Sequence, residues 1–275
     1  MNAARVVREA PLAHLRWDGP AGAATVLLLH GIGGGRESFG DALSGTGRAL
    51  HAAGFSVVAV DLPGYGDSPA SEPYDMAALA TALAAQVAAV PGRVAVVGHS
   101  LGGMVAQEYL ARRAPGTPAP LAALVLMGTS PAFGRPEGAW QREFLAQRLA
   151  PLDAGQGMSG LAPGLVAGMA SPHAAHDAVA RAALLMSAVP EATYRRALAA
   201  LVGFDRRDAL EGLQVPTLCL AGADDRNAPP AVMQRMAQRI PGAAFECLPG
   251  VGHLMHMEAP QAVHAALIDF LQRTL

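Results

Sequence analysis

The chain contains no lysine, and all 20 basic residues among its 275 are arginine. Without a lysine amine it cannot form a Schiff base with a carbonyl substrate or with pyridoxal phosphate. It also lacks the lysine that a P-loop places on a nucleotide phosphate. The absence of one residue type therefore excludes three kinds of chemistry.

A charge excess and long apolar runs are absent too. The formal net charge is −2, so no nucleic-acid partner is expected. No apolar run approaches the roughly 20 residues of a membrane-spanning helix, and residues 1–17 lack the apolar core of a signal peptide. The chain has two cysteines, Cys219 and Cys247, both in apolar, strand-like stretches. We predict a reduced, buried pair in a cytoplasmic protein without a membrane partner.

Apolar residues are plentiful instead: 52% of the chain is hydrophobic and 15% is charged, which suits one large α/β domain. Near-continuous apolar runs predict parallel strands covered on both faces. These runs are residues 25–30, 56–62, 93–99, 121–128, 216–222 and 243–250. Helical patterns lie between them, at residues 75–90, 101–113, 229–239 and 260–273. The alternation predicts a doubly wound, mostly parallel sheet, and residues 5–17 predict a two-stranded antiparallel entry to it.

Residues 131–207 break the alternation, because they show helical patterns without a clear buried strand. We interpret this segment as a helical lid inserted into a core formed by residues 1–130 and 208–275. An insertion at the C-terminal edge of a parallel sheet would lie over the ligand crevice. The alternative is a set of ordinary packing helices.

The stretch "GHSLGG" predicts a nucleophile. Gly98, Ser100 and Gly102 match the pattern G-x-S-x-G, directly between an apolar strand and a helix. In this motif the serine occupies a sharp strand-to-helix turn that projects its hydroxyl, and the glycines are needed because side chains there would collide with backbone. The pattern alone arises by chance in a glycine-rich chain, so its placement is what makes Ser100 a candidate.

A serine hydroxyl needs a base to take its proton, and the base needs an acid to orient it. His253 follows the last predicted strand, and Asp224 and Asp225 follow the strand before it. Parallel strands end at one edge of a sheet, so these side chains and the serine are expected to converge. The pattern leaves both aspartates open. Backbone N–H groups of Ile32, in the glycine-rich loop after the first parallel strand, and of Leu101 would hold an oxyanion.

Five stretches together resemble the α/β-hydrolase family over essentially the whole chain: "HGIGGG", "DLPGYGDS", "GHSLGG", "GADDRNAPP" and "GVGHLMHMEAP". The resemblance implies an α/β-hydrolase fold and a serine hydrolase with Ser100 as nucleophile and His253 as base, without a cofactor or a metal. In the family the acid stands three residues after a strand-ending glycine, with a proline four residues further on. Gly222, Asp225 and Pro229 fit that spacing, so the resemblance favours Asp225 over its neighbour.

Other candidates receive structural roles. The resemblance implies that His30 and His99 brace loops, that His256 is not the base, and that the loop "DLPGYGDS" at residues 61–68 is structural. The run "HAAHD" at residues 173–177 has the spacing of a ligand pair, but no third ligand cluster accompanies it, so we expect a surface helix face and no metal site.

The serine at position 100 argues against two enzyme classes of the family, because related dehalogenases and epoxide hydrolases use aspartate at this position. Residues 140–149 and 189–218 resemble the lid-to-core segment of 3-oxoadipate enol-lactonases, with the best match over residues 194–218. This resemblance implies a small ester or lactone as substrate. In the lid, Trp140, Arg135 and Arg142 are candidates for contact with an acidic substrate. Haloperoxidase-like esterases, C–C bond hydrolases of ring-fission products and a non-hydrolytic protein that binds small ligands stay open as alternatives. The oligomeric state is not predicted.

Overall fold

The computed structural model describes residues 4–41, 45–113, 120–134 and 138–275. The strands are β1 Arg5–Val7, β2 His14–Trp17, β3 Thr25–Leu29, β4 Ser56–Val60, β5 Val94–His99, β6 Ala123–Met127, β7 Thr217–Gly222 and β8 Ala244–Leu248. The α-helices are α1 Gly45–Ala52, α2 Met76–Ala88, α3 Leu101–Ala111, α4 Ala139–Asp153, α5 Gly157–Met169, α6 His176–Ser187, α7 Glu191–Val202, α8 Pro230–Arg239, α9 Met255–Glu258 and α10 Pro260–Thr274. Short 3₁₀ helices span Arg36–Phe39 and Arg207–Gly212.

The eight strands form a single sheet in the order β1-β2-β4-β3-β5-β6-β7-β8. The pairs β1–β2 and β2–β4 are antiparallel, and every pair from β4 to β8 is parallel. The predicted doubly wound sheet with an antiparallel entry is therefore confirmed. The strand order runs outward in both directions from β3, and such a switch point opens a crevice at the carboxyl ends of β3 and β5.

Both faces of the sheet are buried along its central strands. In β3, Leu27 and Leu29 pack into the apolar cluster that contains side chains of α2, α3 and α8. Val26 and Leu28 pack into the cluster that contains side chains of α1 and α10. Alternate residues thus serve opposite faces, which explains why these strands are apolar at every position.

The last strand differs from the predicted pattern. β8 is an edge strand that pairs only with β7, and three of its five residues are exposed. Cys247 is exposed as a result, whereas Cys219 on β7 is buried, and both are free thiols. The prediction of a buried pair is therefore wrong for Cys247, because an edge strand is covered less completely than a central one.

Helices α4 to α7 form the segment between β6 and β7. The two ends of this segment lie side by side: the Phe133 amide donates to the Phe204 carbonyl over 2.9 Å, and the Arg206 amide donates to the Pro131 carbonyl over 2.8 Å. The chain therefore leaves the sheet and returns to it at nearly one point, as an inserted segment does. In the described ranges, no helix combines the length and the apolar character that crossing a bilayer requires.

Candidate active site

Ser100 occupies the turn between β5 and α3, with φ 51° and ψ −115°. Across the described residues it is the single non-glycine position with positive φ, a type of conformation that costs about 1–3 kcal/mol. Hydrogen bonds hold the turn: the Ser100 amide donates to the Met127 carbonyl over 3.0 Å, and the Thr129 hydroxyl donates to the Ser100 carbonyl over 2.8 Å. The strained turn places the serine at the carboxyl edge of the sheet.

Glycines let α3 pack directly against the sheet beside this turn. A Cβ atom on Gly98 would lie 2.6 Å from the Cα atom of Gly103, and one on Gly102 would lie 2.4 Å from the carbonyl oxygen of Leu29. These neighbours are backbone atoms of buried elements and cannot move aside. The steric role that the motif predicts for its glycines is confirmed.

Hydrogen bonds join Ser100, His253 and Asp225. His253 Nε2 lies 3.0 Å from Ser100 Oγ, and His253 Nδ1 lies 2.8 Å from Asp225 Oδ2. An ionised carboxylate can only accept, so Nδ1 carries the proton and Nε2 is left to accept the serine proton. The side chains of His253 and Asp225 are 5% and 0% exposed, so water hardly competes for this pair.

Asp225 is held by more than the imidazole. Its Oδ1 atom accepts from the amides of Asn227 over 2.8 Å and of Ala228 over 2.9 Å. Burial raises the pKa of the Asp225 carboxyl, but the neighbouring imidazole and these hydrogen bonds outweigh burial and leave the pKa below its usual value. Asp224 instead accepts from the Ser171 hydroxyl over 2.7 Å. Of the two aspartates left open by the pattern, only Asp225 contacts His253.

The loop that carries His253 is fixed by Glu258. The Glu258 carboxylate accepts from the amides of Gly252, Leu254 and Ser171, each over 2.9 Å. In addition, the His253 amide donates to the Met169 carbonyl at the end of α5 over 2.9 Å. The base is thus tied both to the short helix that follows it and to the inserted helices.

The two backbone donors predicted for an oxyanion are free. Leu101 is the first residue of α3, so its N–H has no acceptor within the helix. Throughout the described part of the chain, neither the Ile32 N–H nor the Leu101 N–H donates to another protein group. The Tyr65 hydroxyl donates to the Ile32 carbonyl over 3.0 Å and helps to hold that loop. Both N–H groups remain available to an oxygen atom of a ligand.

Two other histidines brace the loops around the site. His30 Nδ1 donates to the Gly31 carbonyl over 2.7 Å, and its Nε2 accepts from the Leu62 amide over 3.0 Å. Burial lowers the pKa of His30 to about 4, so the ring is neutral, as its acceptor role requires. His99 Nε2 donates to the carbonyl of His253 over 2.8 Å, and burial lowers the pKa of His99 too. Neither ring contacts Ser100 Oγ through a hydrogen bond.

His256 is buried to about the same degree as His253. It is 5% exposed, its ring centroid is 4.6 Å from that of His99, and burial lowers its pKa to about 3. Its ring nitrogens have no hydrogen-bond partner among the residues that the structure describes. It is a neutral side chain that packs against His99 and lines a cavity of the site.

Arg36 is a buried residue of the site that the sequence analysis missed. Its guanidinium donates to Asp61 over 2.9 Å and to Asp67 over 2.7 Å, and its amide donates to Asp61 over 2.9 Å. These contacts fasten the glycine-rich loop, which carries Ile32, to the loop of residues 61–68. The structural role predicted for that second loop thus includes an arginine as its partner. A single arginine after a glycine run carries no recognisable sequence signal.

Two cavities meet at Ser100 and His253. The larger has a volume of about 420 Å³, lies beneath α4 to α7 and has mostly apolar and aromatic walls. The smaller has a volume of about 30 Å³ and lies against the loop of residues 31–34. The site therefore offers one large and one very small compartment on either side of the serine.

The candidate lid residues take different positions. Trp140 lines the larger cavity, Arg142 is exposed and is not among the described residues that line it, and Arg135 lies outside the described residues. Arg148 lines the cavity instead. Trp140, Phe144 and Arg148 are spaced by four and share one face of α4, whereas Arg142 is two positions on and faces away. That spacing is the sequence signal that would have identified Arg148.

A parallel sheet with a strained serine turn and a hydrogen-bonded Ser–His–Asp arrangement at its carboxyl edge is typical of hydrolases. A model of the alpha/beta hydrolase family matches residues 26–266. The chain belongs to the alpha/beta hydrolase family, as its motifs predicted.

Similar proteins include two esterases known from sequence. The pimeloyl-(acyl-carrier protein) methyl ester esterase of Chromobacterium violaceum is 32% identical over 90% of this chain and 94% of its own length. The esterase of the same name from Neisseria meningitidis serogroup B is 28% identical over 92% of this chain and 95% of its own. The structure of an esterase from Exiguobacterium antarcticum superposes with a TM-score of 0.81 at 20% identity, covering 99% of this chain and 100% of that one. This last likeness concerns the fold.

Proposed function

We propose that the protein is a serine hydrolase that cleaves a carboxylic ester or lactone through an acyl-enzyme. The observation that carries the proposal is the hydrogen-bonded chain from Ser100 through His253 to Asp225, which opens onto an apolar cavity. The names of the two esterase relatives support an ester as substrate. The narrower resemblance to enol-lactonases supports a lactone as the alternative substrate.

In the first half of the reaction, Ser100 Oγ attacks the carbonyl carbon while His253 Nε2 takes the hydroxyl proton. Asp225 keeps the imidazole in the required tautomer and stabilises it once it is protonated. The N–H groups of Ile32 and Leu101 hold the negative oxygen of the tetrahedral intermediate, and each such donor is worth about 3 kcal/mol of the barrier. The protonated His253 then gives its proton to the leaving alcohol.

In the second half, the same imidazole takes a proton from water, and the hydroxide attacks the acyl carbon. Breakdown of the second intermediate releases the acid and returns the proton to Ser100. No step calls for a group outside the chain and water. We infer that residues 131–207 serve as a lid, because α4 to α7 contribute much of the wall of the larger cavity and would keep bulk water from the acyl group.

The compartments suggest how the ester is placed. The smaller cavity, at about 30 Å³, has far less room than the larger one, at about 420 Å³, so the bulky part of the substrate belongs in the larger cavity. The relatives are named for a methyl ester, in which the alcohol is the smaller part. We therefore place the acyl chain beneath the lid.

A panel of substrates tests the proposal on purified protein. Methyl and p-nitrophenyl esters of short fatty acids, an enol-lactone and a vinylogous diketone would be compared for turnover. We expect ester hydrolysis, covalent labelling of Ser100 by a fluorophosphonate probe, and a loss of at least about 10⁴-fold in kcat on Ser100→Ala. Turnover of the diketone alone would favour the C–C hydrolase. Ligand binding without turnover or labelling would favour a non-hydrolytic protein and contradict the proposal.

A further inference from the structure

The larger cavity is positively charged. Of its described lining residues, those with a permanent charge are both arginines, Arg148 on α4 and Arg226 in the loop after β7, and no carboxylate accompanies them. Most of the remaining wall is apolar or aromatic. A low-dielectric wall of this kind strengthens the field of an arginine at the point where a substrate would lie.

Arg148 differs in its contacts from three other buried or half-buried arginines. Arg36, Arg195 and Arg206 each contact at least one carboxylate within 4 Å. Arg148 is also half-buried, but no carboxylate of the described residues lies within ion-pair distance of it. Burial accordingly lowers the pKa of its guanidinium. A partly desolvated cation without a counter-ion is unfavourable, so a charge from outside the chain would stabilise it.

The guanidinium is also held in place. Its Cζ atom lies 3.5 Å from the centroid of the Phe144 ring, one helical turn earlier on the same face of α4. A cation over an aromatic face is attracted to it, and stacking leaves the edge of the planar guanidinium with its N–H groups free to bind. Such a fixed, planar donor matches the two oxygens of a carboxylate.

We propose that Arg148 binds an anionic group, a carboxylate, at the far end of the acyl chain, so that the preferred substrates are half-esters of dicarboxylic acids. This proposal rests on the proposed function. Ser100 and Arg148 line the same cavity with apolar wall between them, so the chain that joins ester and carboxylate is a hydrocarbon. Arg148 is a specificity-determining residue in this scheme and takes no part in bond making or breaking.

The first experiment compares matched substrates. Monomethyl succinate, adipate and suberate would each be paired with the methyl ester of the monocarboxylic acid of equal chain length. A methyl ester whose far end carries a phosphate in place of the carboxylate would distinguish a site specific for carboxylates from one that binds any anion. The variants are Arg148→Gln and Arg148→Lys. The control is Arg196→Gln, which removes the same charge from an exposed position on α7, where Arg196 pairs with Glu72 and does not line the cavity.

For wild-type protein we expect the half-ester of best length to exceed its neutral partner in kcat/KM. Arg148→Gln should lower kcat/KM about 10- to 100-fold on that half-ester, mostly through KM, and less than about twofold on the neutral ester. Arg148→Lys should fall between, because it keeps the charge but loses the planar fork, and Arg196→Gln should match wild type. Equal losses on both substrates would indicate a merely structural role and overturn the proposal. A preference for the phosphate ester would overturn the assignment to a carboxylate.

A binding measurement separates this proposal from the proposed function. The chain has two tryptophans: Trp140 lines the cavity, whereas Trp17 is fully buried elsewhere. Tryptophan fluorescence of the Ser100→Ala variant should therefore report binding of adipate, and addition of Arg148→Gln should weaken binding about 10- to 100-fold. If adipate binds but wild-type protein turns over no ester, the proposed anion site stands and the proposed hydrolase activity is rejected. Turnover of neutral esters with no Arg148-dependent binding would reject the anion site alone.

Discussion

Replacing Asp225 with asparagine tests the chain of hydrogen bonds at its least conspicuous member. The substitution keeps the shape of the side chain, and an asparagine Oδ1 atom can still accept from the amides of Asn227 and Ala228. The amide NH₂ would then replace the oxygen that lies 2.8 Å from His253 Nδ1. Because that group donates, it would force the imidazole proton onto Nε2. An Nε2 that carries a proton cannot accept one from Ser100, which lies 3.0 Å away.

The size of the effect follows from this change of tautomer. Loss of the correct tautomer with geometry intact lowers kcat by about 10⁴ in a Ser–His–Asp hydrolase, which corresponds to about 5.5 kcal/mol of barrier at 1.36 kcal/mol for each factor of ten. KM should change little, because Asp225 is not among the described residues that line either cavity at the serine. The unfolding transition should also stay close to that of wild type, since both amide hydrogen bonds persist and the hydrogen bond to His253 is reversed in direction.

Ester hydrolysis at saturating substrate is the assay, with Asp224→Asn as the matched control. Asp224 is the adjacent carboxylate and accepts from Ser171 instead of His253, so its variant should retain kcat within a few-fold. A loss of less than tenfold for Asp225→Asn in folded protein would refute the assigned role. A large loss for Asp224→Asn alone would transfer that role to the neighbouring residue.

Three further outcomes follow from the packing and the titrating groups. Gly102→Ala should destabilise the fold by about 3 kcal/mol or more, because its Cβ would lie 2.4 Å from the Leu29 carbonyl oxygen; a thermal melt equal to wild type would contradict this. His30 has a folded pKa of about 4 against an ordinary 6.5, so the unfolded chain binds more protons between these two values. The free energy of unfolding therefore decreases as the pH falls through this window, by about 2 kcal/mol at pH 5 from this ring. The urea midpoint should therefore be lower at pH 5 than at pH 7. A thiol reagent should modify exposed Cys247 in the native protein and reach Cys219 only after unfolding; equal rates for the two thiols would be inconsistent with the edge position of β8.

The proximity of the groups that we propose to react was predictable because one geometric rule places them. Each candidate followed the end of an apolar run, and the ends of parallel strands share an edge, so Ser100, His253 and an aspartate had to converge. The rule predicts which loop carries each group, but it does not predict which residue of the loop is involved. It left Asp224 and Asp225 equivalent, and only the direction of each carboxylate distinguishes them: one reaches His253 and the other reaches Ser171.

Other features depend on long-range packing that no local pattern records. Cys247 sits in a stretch that is apolar apart from Glu246, and the position of its strand at the edge of the sheet leaves it exposed. The pairing of Arg36 with Asp61 joins residues 25 positions apart. Neither stretch of sequence contains a pattern that predicts this pairing. Arg148 is a different case, because its helical spacing from Trp140 predicts that both residues share one face of α4. The sequence analysis named the nearby Arg142 as the candidate instead.

In the proposed mechanism, chemistry and recognition come from separate parts of this chain, which contact each other at several places. Ser100, Asp225 and both proposed oxyanion donors follow strands of the sheet, whereas Trp140, Phe144 and Arg148 belong to the helices between β6 and β7. The contact that involves His253 itself is the hydrogen bond from its amide to the carbonyl of Met169 at the end of α5, reinforced by Glu258, which binds backbone on both sides. A rearrangement of the inserted helices that only reshapes the cavity should therefore alter KM and substrate preference. One that displaces the end of α5 should alter kcat, because it moves the loop that presents the imidazole.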